Sequence, residues 1–363
     1  MISLDDARPR IIHSTQEVQS SISSEDGHSV EWPRISVIIP TLNCAKALAT
    51  CLHSIHCQDY PKENVETIVV DGGSGDETLF VAESLGCRVV SEPRLRYDQE
   101  ARRLLGLRES VGELVAFIDS DNILPHEFLL KKLVRPFLDH PDTNGVETIW
   151  YGYSRALPAL TRYFALVGAI DPVVIGLGKA DRLPFGETKW STGNLIEVNA
   201  DYYRVRFTPH NLPTVGANGY VANRDLLLKL GSSKAGFFHI DINLDMVKAG
   251  HNTFAFVKDS IIHDTGRSLR QFLRRRVVYS SQFLFRQYGR RRYKIYDSQV
   301  DRAKLLKHVL LSFTIIQPTS RAIRGYKSTP DRAWFFHPVI SLLLTTAYCV
   351  CFSSWLISGR RDD

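Results

Sequence analysis

An α/β domain with a mostly parallel central sheet, followed by amphipathic and apolar helices, is the architecture this sequence predicts. Three segments carry that reading: Ile35–Asn43 (ISVIIPTLN), Thr67–Thr78 (TIVVDGGSGDET) and Leu114–Asn122 (LVAFIDSDN). Each runs through β-branched and apolar residues and then ends abruptly in small or acidic polar ones. Buried parallel strands look like this when their carboxyl ends open into a site. Helix-patterned stretches separate the three, so right-handed crossovers bring them side by side with their polar ends on one rim. In open α/β sheets, ligands bind at that rim.

Taken in order, a strand at 35–39 leads to a helix at 44–57, and a strand at 66–70 leads to a helix at 76–85. Ser74 or Asp76 can cap the latter helix, with Glu77 in its first turn. A short strand at 87–90 precedes a helix at 98–110, and a strand at 113–118 precedes a helix at 125–138. From 151 to 207, Gly, Pro and aromatic residues break the pattern and no element is assigned; ordered loops of this length are usually functional. Regularity returns over 212–230 as a turn, a strand and a capped helix. Another helix at 240–249 stops at Gly250, and a strand at 253–257 and the segment Ile261–Asp264 follow.

The 363 residues suffice for two domains, or for one large domain with additions. Residues 1–33 are rich in Ser, Asp, Glu and Gln and lack apolar periodicity, so a disordered tail without a signal-peptide pattern is expected there. Six cysteines, at 44, 51, 57, 87, 349 and 351, make no disulfide framework and suit a reducing compartment. Cys51, His53, His56 and Cys57 resemble a metal cluster. They fall on a helix beside Leu48, Leu52 and Ile55 without the paired spacing of a structural zinc site, so core burial is expected instead.

The last third turns toward a membrane. Residues 333–359 contain no Asp, Glu, Lys or Arg, and VISLLLTTAYCVCFSSWLI is long enough to cross a bilayer core. Trp334, Tyr348 and Trp355 can anchor it at the interfaces, and Arg360 and Arg361 follow. Leu305–Ile316 is only 12 residues, a short second span or an interfacial helix. The basic flank at 321–332 favours one span, with the preceding domain on the cytoplasmic face. A net charge of +6 conceals ten Arg or Lys and no acid between Thr265 and Tyr296. There Leu269, Phe272, Leu273, Val277, Phe283 and Leu284 recur at helical spacing around Arg274, Arg275 and Arg276, as in an amphipathic helix on an anionic surface. Nucleic acid is the rival partner for such a band, and the adjacent apolar stretch disfavours it. The implied organisation is a catalytic domain at 34–265, basic amphipathic helices at 266–332 and a transmembrane helix at 333–359.

Pro40, Thr41 and Asn43 close the first strand and Asp71 the second, with Gly73 just beyond; these positions are placed to touch a nucleoside. Asp119-Ser120-Asp121 closes the third, and paired carboxylates of this kind can hold a divalent metal against a departing diphosphate. A lone D-x-D is weak evidence. After PTLN and DGGSGDET, in that order, it is specific.

With VVDGGSGDET at 69–78, GELVAFIDSDN at 112–122 and GANGYVANR at 216–224, the chain resembles the family 2 glycosyltransferases of GT-A fold over about 34–265. The resemblance implies inverting transfer of one sugar from a nucleotide-diphosphate sugar, with Mg²⁺ or Mn²⁺ held by the D-x-D. It puts Asp71 on the base or ribose, Asp121 as the more direct metal ligand, and Gly216–Tyr220 along the acceptor. His263, in IIHDTG, can reach the metal as a downstream His does in some enzymes of this fold; a surface or capping role is its alternative.

Family members often carry a Glu-Asp pair before the late helix, whose Asp is the general base. Here Phe238-His239-Ile240-Asp241 stands in that place. His239 falls at the base position by register, and Asp241 follows two residues later. Either can accept a proton from a sugar hydroxyl, and Asp241 is slightly preferred although it also suits an N-cap. The processive signature Q-x-x-R-W is absent, because Gln271-Phe-Leu-Arg274-Arg275 lacks the Trp, so single addition is expected. Arg274 and its neighbours from Arg267 to Arg276 can clamp a lipid phosphate or the donor diphosphate.

The leading expectation is a membrane-attached, metal-dependent transferase acting on a polyprenyl phosphate or lipid-linked glycan, with no nucleic-acid partner. A sugar nucleotidyltransferase needs a Gly-rich phosphate loop after the first strand, where PTLNCAKAL stands instead. A non-catalytic nucleotide-sugar-binding membrane adaptor is the other alternative, opposed by the intact Asp119 and Asp121.

Overall fold

Seven consecutive buried residues, Ile35–Thr41, form strand β1 in the interior of the sheet. The computed structural model describes residues 31–231, 237–266, 268–281, 290–297 and 299–357. The tail expected at 1–33 falls almost wholly outside them, as do Arg267, Phe283, Leu284, Arg360 and Arg361.

The crossovers run β1–α1 (Ala45–His56), β2 (Val65–Asp71)–α2 (Thr78–Ser84), β3 (Arg88–Ser91)–α3 (Gln99–Glu109) and β4 (Leu114–Phe117). Next come β5 (Asn122–Ile123), α4 (Leu129–Asp139) and β6 (Gly145–Tyr151). The stretch 151–207, where the sequence pattern assigns nothing, holds α5 (Ala159–Val167), α6 (Pro172–Leu177), β7 (Asn194–Val198) and β8 (Tyr202–Arg206). Then follow β9 (Tyr220–Asn223), α7 (Arg224–Gly231), α8 (His239–Lys248) and β10 (Thr253–His263).

The sheet order is β3-β2-β1-β4-β9-β6-β10-β8-β7, with β5 added beside the end of β10. Strands β3, β2, β1 and β4 are mutually parallel, as their helical crossovers require. Strand β9 departs from this, lying antiparallel to both β4 and β6, and β8 and β7 are antiparallel beyond β10. The whole sheet is therefore mixed rather than mostly parallel. The two late strand segments are one strand, β10, with an irregularity between Val257 and Ser260.

Alternation along β1 sends Val37 and Ile39 to one face and Ile38 to the other. On the first face α1 presents Leu48, Cys51, Leu52 and Ile55, a helical apolar stripe, while His53, His56 and Cys57 are exposed. On the other face α3, α7 and α8 pack with Leu107, Leu227 and Leu244. Gly106 lets α3 lie almost on the sheet: a Cβ there would collide with Ile38 Cγ2 and sit 3.0 Å from Val70 Cγ2.

The C-terminal helices α9 (Leu269–Tyr279), α10 (Arg302–Thr314), α11 (Ile316–Ser328) and α12 (Phe336–Ile357) follow β10. Several of them meet α5 in a separate apolar cluster that includes Phe164, Phe272, Trp334 and Leu344. Two segments are long and apolar enough to cross a membrane by length and composition: Ala159–Leu177 (mean hydropathy 1.5) and Arg332–Trp355 (mean hydropathy 1.7). The first is mostly buried and is interrupted at Gly168, which caps α5 with φ 72°. The second is mostly exposed. Helix α12 turns His337, Ser341 and Thr345 inward and leaves Val339, Leu343, Val350 and Phe352 outside, the reverse of a helix folded for water.

Replacing Gly106 by Val should overpack the seam between α3 and β1 and cost about 1–3 kcal/mol. A shift of the urea midpoint at unchanged slope is the expected result.

Candidate active site

The rim at the carboxyl ends of β1 and β2 is built by hydrogen bonds between two loops. Thr41 and Asp71 are register partners, and both are buried. Asp71 accepts from the N–H groups of Gly73 (2.7 Å) and Ser74 (2.8 Å), and from the hydroxyls of Thr41 (3.2 Å) and Ser74. Both its oxygens are thereby engaged, so Asp71 shapes the loop from within. Asn43, in the left-handed region at φ 49°, accepts from the Gly75 N–H (2.8 Å), and its own N–H donates to Ser74 Oγ (2.8 Å). Gly73 has φ 83°, and Pro40 is buried in the strand. Arg102 of α3 lies beneath: a Cβ on Gly72 would sit 2.6 Å from its guanidinium.

Beyond β4 the chain turns at once. The Asp119 N–H donates to Asn122 Oδ1 and the Asn122 N–H donates back to the Asp119 carbonyl, both at 2.9 Å. Strand β5 then pairs with the end of β10, which sets His263 opposite Asn122. The Asp264 N–H donates to the Asp121 carbonyl (2.8 Å), and His263 Nε2 stands 3.4 Å from Asp121 Oδ1. Asp119 Oδ1 instead accepts from Arg103 Nη2 (2.6 Å) and Gln99 Nε2 (3.1 Å). Ser120 is directed toward the Cys44 thiol.

Among the described residues no three His, Cys, Asp or Glu side chains converge as a ready-made metal cage. The donor set nevertheless fits a divalent ion that completes its shell with phosphate oxygens. Such ions need only one or two protein carboxylates when substrate supplies the rest. Asp121 with His263 forms one side of that position, and Asp119 lies two residues away with one oxygen held by Arg103.

The two candidate bases sit in opposite environments. Asp241 is 2% exposed; it accepts from Arg291 Nε (3.0 and 3.1 Å) and from the N–H groups of Arg292 and Tyr293 (each 3.1 Å). His239 Nδ1 instead lies 2.9 and 3.0 Å from the Glu100 oxygens, and its backbone N–H donates to Glu100 Oε2 (2.9 Å). Burial alone would raise the Glu100 pKa, but Arg103 and His239 outweigh it and hold the group down at about 2. With Nδ1–H donated to this ionised carboxylate, Nε2 is the nitrogen left to accept a proton. Gly216, at φ 127°, passes so close that a Cβ on it would lie 3.2 Å from His239 Cδ2.

Gln99, Glu100 and Arg103 are functional candidates that motif reading misses. Their trace in the sequence is QEARR opening a helix, an acid and a cation three apart where they face a strand end. Arg103 joins the two halves of the site, bonding Asp119 on one side and Glu100 on the other. Arg274 is exposed on α9 and takes no part in this network. The basic band is partly structural, because Arg276 pairs with Asp171, Arg291 with Asp241 and Arg292 with Asp245.

A parallel half ending in an acidic rim, joined to an antiparallel half that brings a glycine loop over a histidine, defines the GT-A class of sugar transferases. Residues 36–166 match the model described as Glycosyl transferase family 2, and this part of the chain belongs to that family. Glycosyltransferase AglE of Haloferax volcanii is 36% identical over 104 residues, which are 28% of this chain and 34% of AglE. A second relative, from Methanococcus voltae, is a dolichyl N-acetyl-alpha-D-glucosaminyl phosphate 3-beta-D-2,3-diacetamido-2,3-dideoxy-beta-D-glucuronosyltransferase. It is 34% identical over 100 residues, 26% of this chain and 31% of that protein. The matches thus span about a third of each relative's length. The mannosyltransferase PcManGT from Pyrobaculum calidifontis, solved with GDP-Man and Mn²⁺, shares the fold at TM-score 0.53. That similarity covers 90% of this chain and 88% of PcManGT at 16% identity.

Asp241→Ala should strand a buried guanidinium and destabilise the protein by roughly 3–5 kcal/mol in denaturant titration. Donor affinity of the folded fraction should stay within threefold of the parent.

Proposed function

We propose that the chain is a membrane-attached glycosyltransferase that moves one sugar, with inversion, from a nucleotide-diphosphate sugar to a hydroxyl of a lipid-linked glycan. The observation that carries this reading is the line Asp119–Arg103–Glu100–His239, which ties the donor rim to a base already oriented for its task.

In this reading the loops at 40–43 and 71–75 receive the nucleoside. Asp121, His263 and Asp119 would hold Mg²⁺ or Mn²⁺, and the bound ion neutralises charge on the departing diphosphate. His239 takes the acceptor proton at Nε2. Glu100 fixes the tautomer through Nδ1–H and stabilises the imidazolium as it forms. Arg103 keeps both neighbouring carboxylates ionised and in place. Asp241 is assigned to structure rather than chemistry, against the preference drawn from sequence, because its oxygens are filled by Arg291, Arg292 and Tyr293. Displacement in one step from the face opposite the diphosphate inverts the sugar carbon.

A prepared base matters for an acceptor that must lose a proton, which favours a glycan hydroxyl over a polyprenyl phosphate. Attachment to the membrane is supported by α12 and by apolar side chains exposed on α10 and α11, among them Leu306, Leu310, Phe313 and Ile316. The basic flank at 321–332 puts the catalytic domain on the cytoplasmic face.

Membranes carrying the full chain, offered labelled UDP-, GDP- and dTDP-sugars with Mn²⁺, should transfer label from one donor into the organic extract. EDTA or Asp121→Asn should abolish that transfer; persistence in Asp121→Asn would leave a different site responsible. His239→Ala should lower kcat about 10²–10⁴-fold with donor KM nearly unchanged. Near-parental turnover in His239→Ala would mean that the acceptor is already charged, as a polyprenyl phosphate is.

A further inference from the structure

Away from the sugar site, helices α6, α10, α11 and α12 enclose a cavity of about 370 Å³. Its wall carries Lys304, Lys307, His308, Arg321 and His337, and no Asp or Glu. The polar neighbours of these groups are neutral. Lys304 Nζ donates to the Leu177 carbonyl at 3.4 Å, His308 Nε2 lies 3.4 Å from the hydroxyls of Ser312 and Thr345, and His337 Nδ1 meets the Tyr163 hydroxyl at 3.1 Å. No carboxylate among the described residues pairs with Arg321, and burial holds its guanidinium below its usual pKa. The α11 N-terminus also opens here: Gln317 and Pro318 line the cavity, and no side chain of the preceding residue caps the helix. A helix start adds its positive end to the cationic wall.

Desolvated cations without counter-charges are costly, and a dense anion removes the cost. The outer surface of the same helices shows what carries the anion. Leu306, Leu310 and Phe313 of α10, with Ile315 and Ile316 at the turn into α11, are all exposed. A phosphate set among cations beside exposed apolar side chains fits the headgroup of an amphiphile, with its chains lying on α10 and α11.

We propose that this cavity binds the phosphate of an anionic membrane lipid. The site is distinct from the sugar-transfer centre and shares no residue with it. The proposal rests on the reading of the chain as membrane-attached, so its test uses a soluble lipid and needs no vesicle. Full-length protein is titrated with dihexanoyl phosphatidic acid below its micellar concentration, and separately with inorganic phosphate, following thermal stability. The expected result is stabilisation by the short lipid at concentrations at least tenfold lower than by phosphate. That difference should be lost in the exposed double variant Lys304→Glu/Lys307→Glu and reduced at least fivefold in Arg321→Gln. Equal stabilisation by both ligands overturns the assignment to a lipid, and none by either overturns the site. An unchanged response in the lysine variant overturns its location. Sugar transfer from the active donor to a water-soluble acceptor glycan, assayed in parallel, should be unchanged in these variants, which separates failure here from failure of the transferase reading.

Discussion

One guanidinium organises the candidate site. Arg103 is 3% exposed, and its cost of burial is offset by the two carboxylates it touches, Asp119 on the donor side and Glu100 on the acceptor side. A buried cation with two anionic partners has few alternative positions, since losing either contact leaves charge uncompensated. The geometry therefore depends on how closely α3 approaches the strand ends. Gly106, one helical turn beyond Arg103, is what permits that approach. Packing in the core and placement of charge at the rim are set by the same helix.

The parallel half of the fold is legible in the sequence because its signals are local. Ile35–Thr41 is apolar without interruption and then polar at once, which is how a strand buried on both faces must read. The antiparallel half is less legible. Helix α5 is buried nearly all round, so it has no polar face to give it a period. Strand β9 has four residues, and only its partners β4 and β6 decide its direction.

The same contrast holds within the site. Asp119, Asp121 and Asp71 announce themselves at strand ends, whereas Glu100 and Arg103 sit inside a helix whose polar residues look solvated until the sheet is placed under them. The choice between His239 and Asp241 lay beyond local pattern. It turns on Arg291, which is 50 residues downstream of Asp241 and fills that carboxylate. His263 was nameable from its strand, but its position beside Asp121 depends on the two-residue strand β5, which no periodicity can show.

The contact between Arg291 and Asp241 bears on how the chain divides into parts. The segment at 290–293 belongs by sequence to the basic region leading to the membrane, yet its arginine and two of its backbone N–H groups clasp the first turn of the helix that bears His239. The C-terminal third is thus no detachable tether: cutting the chain at the end of β10 would also remove a wall of the catalytic domain. Lineages that exchange one anchoring module for another would have to keep this clasp, so the seam at which such chains can be recombined lies after Tyr293 rather than after His263.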